Sequence, residues 1–215
     1  LAFIQVRGTL TSRTHRNTRL NVITLMVLEG AALEVGSLTS PIAANVTAEI
    51  AIADRPFDPD LDPSQAGNGI VAFGKVTMHG APKNPTFVRF GQEPRAGVTV
   101  LVFGQPVEGR QAGDTLVIPD TRQLAANERG RSYRSESEKV RIASISRSGV
   151  ALEAPLAFDH KGSRNAAGAV EFLPHVGNLM RNVVIRSANP RGVRGHVLFV
   201  NRADVDIRYA RFSNL

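Results

Sequence analysis

Residues 182–212 read NVVIRSANPRGVRGHVLFVNRADVDIRYARF, and the alternation within them decides the fold. Successive side chains of an extended chain point to opposite faces. Ala203, Val205, Ile207 and Tyr209 then share one face, while Asp204, Asp206 and Arg208 share the other. This is a strand with an apolar side and a wet side. The pattern of NVVIR recurs 22 residues later, which sets Val183 against Val205 and Ile185 against Ile207. Repeats of about that length, each giving one strand to a continuous stack, characterise solenoids. HVLFV, between the two, is expected to be a strand on a second face of the same coil.

The same grammar runs through the chain. FIQVRGTL, TLMVLEGAALEVG, TAEIAIA, GKVTMHG, TFVRF, TVLVFG, DTLVIP and KVRIASIS are short alternating runs bounded by Gly, Pro, Asn or Asp, as strands are. No window sustains the apolar period of a helix. The expected fold class is all-β: a right-handed parallel β-helix carrying a small antiparallel barrel-like insertion, with a two-sheet sandwich as the alternative. In TLMVLEGAALEVG a Glu-Gly corner separates two strands, the second with Leu33 and Val35 inward. From residue 97 onward, AGD before one strand and SRSG between two others are hairpin signals. The expected division is coils over 1–96, the insertion over 97–160 and further coils over 161–215. Arg122 to Lys139 is read as the long loop of the insertion.

Composition narrows the function. A chain of 215 residues, 42% hydrophobic and 21% charged, is long enough to bury a core and reads as globular. No apolar run approaches the roughly 20 residues of a membrane span. The absence of cysteine excludes disulfides, a thiol nucleophile and Cys-ligated zinc. The start, LAFIQVRGTL, lacks an initiator Met and a signal-peptide pattern, and the end stops just past a strand, so a segment of a longer polypeptide is expected. The formal charge is +7, and 22 of the 26 basic residues are Arg. The planar guanidinium fork suits carboxylate or phosphate, although a general Arg and Ala bias of composition gives the same excess. Two Tyr and no Trp leave little surface for stacking bases, so an acidic polymer other than nucleic acid is the expected partner.

Several phrases together carry a resemblance: TLMVLEGAALEVGS, TAEIAIADRPFDPDLDPSQAGNGIVAFGKVTMHG, PTFVRF, GDTLVIPDTRQL, APLAFDH, FLPHVGNLMRNVVIRS and RGHVLFVNRADVDIRYARF. They resemble the G8 (eight-glycine) domain with the β-helix coils that follow it. The resemblance implies a secreted or cell-surface β-rich domain, in some members tied to binding or depolymerising hyaluronan. No catalytic residue of the family is matched by position here, so none is carried over.

Four candidate sites follow. DRPFDPDLDPSQ places Asp54, Asp58, Asp60 and Asp62 within one short segment; alternating carboxylates can ligate calcium, but the glycine and distal glutamate of an EF-hand loop are missing and Pro59 and Pro63 favour an Asx-turn loop. Asp204 and Asp206 project from one strand face, roughly 6.5 to 7 Å apart at extended rise, a separation compatible with paired-carboxylate glycosidic chemistry; a surface ion ladder with Arg202 and Arg208 is the plainer alternative. His196 and His175, at strand corners, are the acid–base candidates, against a local hydrogen-bonding role. Arg181, Arg186, Arg202 and Arg208 are the glycan-binding candidates, with Arg186 and Arg208 expected one rung apart. The two functional readings are an extracellular domain binding or depolymerising acidic polysaccharide, and a non-catalytic structural or adhesion module.

Overall fold

A computed structural model of the chain describes residues 3–124 and 133–215. The regular structure among these residues is all strand. Part of the expected long loop, 125–132, lies outside the described residues. The first strands are β1 (Phe3–Val6), β2 (Thr9–Thr11), β3 (Thr18–Val22), β4 (Thr24–Val27), β5 (Ala32–Val35), β6 (Ala48–Ile52), β7 (Gly69–Ala72) and β8 (Lys75–His79). Next come β9 (Phe87–Arg89), β10 (Val100–Val102), β11 (Thr115–Ile118), β12 (Glu138–Ile145), β13 (Gly149–Leu152), β14 (Ser163–Arg164), β15 (Val170–Phe172) and β16 (His175–Asn178). The chain ends with β17 (Val183–Ser187), β18 (His196–Phe199), β19 (Val205–Arg208) and β20 (Ala210–Ser213).

Two compact units result: Leu1–Pro82 with Arg181–Leu215, and Lys83–Met180. In the first, three parallel sheets run β1-β4-β7-β18, β2-β5-β8-β19 and β3-β6-β17-β20. Consecutive strands pass from the first sheet to the second to the third, then back to the first one layer on. Four coils are stacked in this way. Their inward residues form one core that includes Leu25, Leu33, Ile52, Ile70, Met78 and Ile185, each at 2% exposure or less. Burying side chains of this size is worth roughly 1.5–3 kcal/mol apiece. Leu33 and Val35 point inward as their alternation requires. At the corner between β7 and β8, Gly74 is fixed by space: a Cβ there would stand 2.3 Å from the Ala31 carbonyl oxygen.

The register corrects the sequence reading. Val183 pairs with Ala210 and Ile185 with Phe212, not with Val205 and Ile207. β17, β18 and β19 each belong to a different sheet, so a step of 22 residues falls short of a full turn. Tyr209, at φ 54°, makes the remaining corner in one residue. Arg208 accordingly neighbours His79 in register, and Arg186 neighbours Ser213, so Arg186 and Arg208 are not successive rungs.

The second unit interrupts the third coil in sequence, between β8 and β17. Its six-stranded sheet runs β10-β13-β12-β11-β16-β9, all antiparallel. A bridge between Phe90 and Phe103 joins its two edge strands, closing it as a barrel. Val88, Phe90, Leu101, Leu116, Ile118, Ile142, Val150 and Val176 fill the interior. β9 and β16 lie outside the 97–160 segment but hydrogen-bond into this sheet, which is why the compact unit extends to both sides of that segment. His160, fully buried, places Nδ1 2.9 Å from the Pro119 carbonyl and Nε2 2.9 Å from Glu138.

Candidate functional site

The outward face of the β3-β6-β17-β20 sheet gathers cations. Arg19 is in register with Glu49, Glu49 with Val184, and Val184 with Arg211. One residue pair further along, Arg186 is flanked by Ala51 and Ser213. Strands about 4.8 Å apart put Arg19 and Arg211 about 14 Å from each other across the face. Glu49 is the one carboxylate there, accepting from Arg186 Nε and lying 3.5 Å from Arg19 Nε. Arg211 has no side-chain partner among the described residues. Ala51 and Val184 lie low, at 1% and 6% exposure, between taller neighbours. The result is a shallow basic strip: three guanidinium groups, one of them free, against one carboxylate. Arg186 belongs to the sequence-derived set, whereas Arg19 and Arg211 escaped it. Their alternation is visible in TRLNV and ARFS, but the pairing that unites them is not.

The β2-β5-β8-β19 sheet holds the aspartate candidates. Asp206 Oδ1 accepts from Arg208 Nε at 3.0 Å, and Asp206 Oδ2 lies 2.9 Å from Nε2 of His79. His79 is 2% exposed and approaches the carboxylate off the hydrogen-bonding direction. Arg208, opposed by partial burial and aided by His79, holds the Asp206 carboxyl below the usual range. Asp204 stands 3.9 Å from Lys75 Nζ. Of the ion ladder offered as the plainer reading, the Asp206–Arg208 contact is present, whereas Asp204 meets Lys75 rather than Arg202, and His79 is a further member. His196 is exposed on β18, in a different sheet from Asp206. His175 belongs to the other unit, its ring 5.8 Å from Phe87 and 5.6 Å from Phe172.

The remaining arginine candidates are dispersed. The Arg181 guanidinium lies 5.8 Å above the Tyr209 ring, and burial lowers its pKa against the opposing influence of Tyr209. Arg202 is exposed in the turn before β19.

Three of the four aspartates of the 53–68 segment have separate tasks, and Asp60 enters only through its backbone amide. Asp54 accepts from Asn189 Nδ2 and the Val193 amide. Asp58 Oδ1 accepts from the amides of Asp60 and Leu61, an Asx turn. Asp62, 4% exposed, takes the Ser64 hydroxyl on Oδ1 and the Gly67 amide on Oδ2. Burial raises its pKa, but the amides of Gly67 and Ala66 and the Ser64 hydroxyl together bring it below the ordinary value. Among the described residues no group of three or more His, Cys, Asp or Glu side chains converges as a metal site. The segment instead roofs a cavity of about 400 Å³ lined by Phe3, Thr24, Arg55, Phe57, Asp58 and Asn68, among others.

In the second unit the charged groups around Thr121–Gln123 and Asp159–Arg164 are mutually engaged. Arg122 binds Asp120 and Glu136, Arg164 binds Glu93, and Arg95 bridges Glu93 and Asp159. Such pairing supports loop structure more than ligand capture.

The fold and strip describe an all-β chain of stacked parallel sheets with a basic sheet face. Residues 1–91 match the family model of the G8 domain. No curated protein matches the sequence. Among solved structures, the chain is similar to the Gp54 tailspike of Acinetobacter baumannii bacteriophage AP22, a complex with A. baumannii capsular saccharide, at 13% identity and TM-score 0.35 over 95% of this chain and 27% of that one. It is also similar to tailspike gp49 of Pseudomonas phage LKA1 (12% identity, TM-score 0.33, 80% and 23% covered) and to tailspike gp61 of Pseudomonas phage phi297 (11%, 0.38, 89% and 26%). The chain thus spans about a quarter of each of these. No helix among the described residues is long and apolar enough to cross a membrane.

Proposed function

We propose that the coiled unit binds an acidic polysaccharide of the hyaluronan type outside the cell. The observation that carries this is the strip of Arg19, Arg186 and Arg211 against the single Glu49, with Arg211 free to take a ligand carboxylate. A guanidinium offers paired donors to a carboxylate, and a flat sheet face suits an extended chain. The G8 match over residues 1–91 and the overall charge of +7 agree with this reading. We further infer that the coils wind right-handed, the hand that connections between parallel strands of one sheet adopt in about 98% of cases. A structural or adhesion module would leave the strip's cations neutralised from within, and Arg211 argues against that.

The test is titration of the chain with hyaluronan oligosaccharides at low and high salt, beside a neutral glucan and a DNA duplex. Binding that weakens as salt rises, because charge contacts are screened, and that exceeds binding to the neutral glucan and to DNA supports the proposal. Absence of hyaluronan binding at low salt, or equal affinity for DNA, overturns it.

A further inference from the structure

The cavity beneath the 53–68 segment has a different chemistry from the arginine strip. We infer that it is a subsite for a neutral pyranose ring, an inference that rests on reading the coiled unit as glycan-binding. The cavity, of about 400 Å³, falls in the size range of small-molecule sites, roughly 300–1,000 Å³. Its wall is apolar: Phe3, Ile23, Pro56, Phe57, Pro59 and Leu61. Phe57 is 49% exposed and Leu61 52%, and both line the cavity. An aromatic face of this kind packs against the C–H face of a sugar ring.

The polar groups set the class of ligand. Arg55 contributes only donors, and its side chain has no partner among the described residues. Its carbonyl accepts from Asn68 Nδ2 at 2.6 Å, which ties the stem of the segment to β7. Asp58 contributes only acceptors. Its Oδ1 is taken by the amides of Asp60 and Leu61, which leaves Oδ2 free. A sugar hydroxyl both donates and accepts, so adjacent hydroxyls satisfy Arg55 and Asp58 together. A uronate fits less well: a ligand carboxylate would meet the two carboxylates of Asp58 and Asp62 against the single Arg55 guanidinium. In a polymer of alternating acidic and neutral sugars, this cavity takes the neutral residue.

The experiment is ligand-observed NMR with the intact chain and three free sugars: N-acetylglucosamine, glucose and glucuronate. The neutral sugars are expected to bind in preference to glucuronate, with an affinity insensitive to salt. Phe57→Ala should weaken them about tenfold, the scale of one lost ring contact. Asp58→Asn keeps an acceptor for the turn and should still weaken them, while Arg211→Ala should leave them unchanged. Glucuronate binding as well as the neutral sugars, or full affinity in both Phe57→Ala and Asp58→Asn, overturns the inference. Loss of hyaluronan binding in Arg211→Ala with no neutral-sugar binding anywhere would overturn this subsite while leaving the strip intact.

Discussion

The side-chain oxygen of Asn182 accepts the backbone N–H of Ala81 at 2.7 Å, although the two residues are 101 positions apart. They flank the inserted unit in sequence. The Asn182 amide nitrogen also donates toward the carbonyls of Ile42, Ala43 and Val46 at 3.2, 2.8 and 2.9 Å. One side chain thereby resumes the third coil where the insertion left it. Asn182→Ala removes these bonds and leaves the buried Ala81 amide and Ile42 carbonyl without that partner, each such loss costing about 1–3 kcal/mol. We expect a loss of roughly 3 kcal/mol in urea unfolding; a change no larger than that of an exposed substitution such as Arg202→Ala would refute this role.

The strand register has a direct chemical test, because the chain contains no cysteine. Arg186 and Ser213 are neighbours in register, whereas Arg186 and Arg208 lie on different sheets. Introduced cysteines bridge when their Cα atoms are about 4.4–6.8 Å apart. The pair Arg186→Cys with Ser213→Cys should cross-link under mild oxidation, and Arg186→Cys with Arg208→Cys should not. The opposite pattern would restore the repeat read from sequence.

Within the basic strip, Arg19→Ala and Arg211→Ala should each weaken hyaluronan binding about threefold to tenfold at low salt, the scale of one charge-assisted contact. Arg202→Ala, in the turn before β19, should change it less than about twofold. Isothermal titration on matched samples checks this, and equal losses in all three would reduce the strip to non-specific charge.

Asp62 links stability to pH. Its carboxyl, held below the ordinary value in the folded chain, is protonated first in the unfolded state. Its contribution is therefore complete above the unfolded pKa of about 4 and is lost as pH falls through the folded value. Glu138 has the same sign: burial raises its pKa, and the amides of Ala157 and Phe158 with His160 more than offset that. Melting temperature should be flat above about pH 5 and fall below about pH 4. Asp62→Ala should lower it at neutral pH and make the acid decline shallower; an unchanged acid limb would show that Asp62 is not part of it.

Calcium gives a further check on the 53–68 segment. With the carboxylates of Asp54, Asp58 and Asp62 hydrogen-bonded to separate groups, millimolar calcium or a chelator should shift the melting temperature by less than about 1 °C. A site saturated at 100 times its Kd would add about 2.7 kcal/mol and be obvious.

Alternation in NVVIRS, HVLFV and DVDIRYARF determined by itself that these segments are extended and that Val183, Ile185 and Ile207 face the core, because a side chain's face follows from parity along an extended chain; it did not show that Tyr209 ends one strand and that Ala210 faces inward beyond it. It likewise determined the Glu-Gly corner before β5 and the antiparallel character of the middle of the chain, since turn chemistry is local. Resemblance in the first phrases agrees with the match of residues 1–91 to the G8 family model. Only the tertiary structure decided which strands are neighbours. Parity is blind to how many residues a corner takes: the β19–β20 corner uses Tyr209 alone, whereas the corresponding corner after β8 is opened by the whole inserted unit. The arginine strip, the Asp206–His79 contact and the Asn182–Ala81 bond all depend on that count. They join residues whose spacing in sequence has no fixed relation to their spacing in the stack, so each became legible only once the coils were closed.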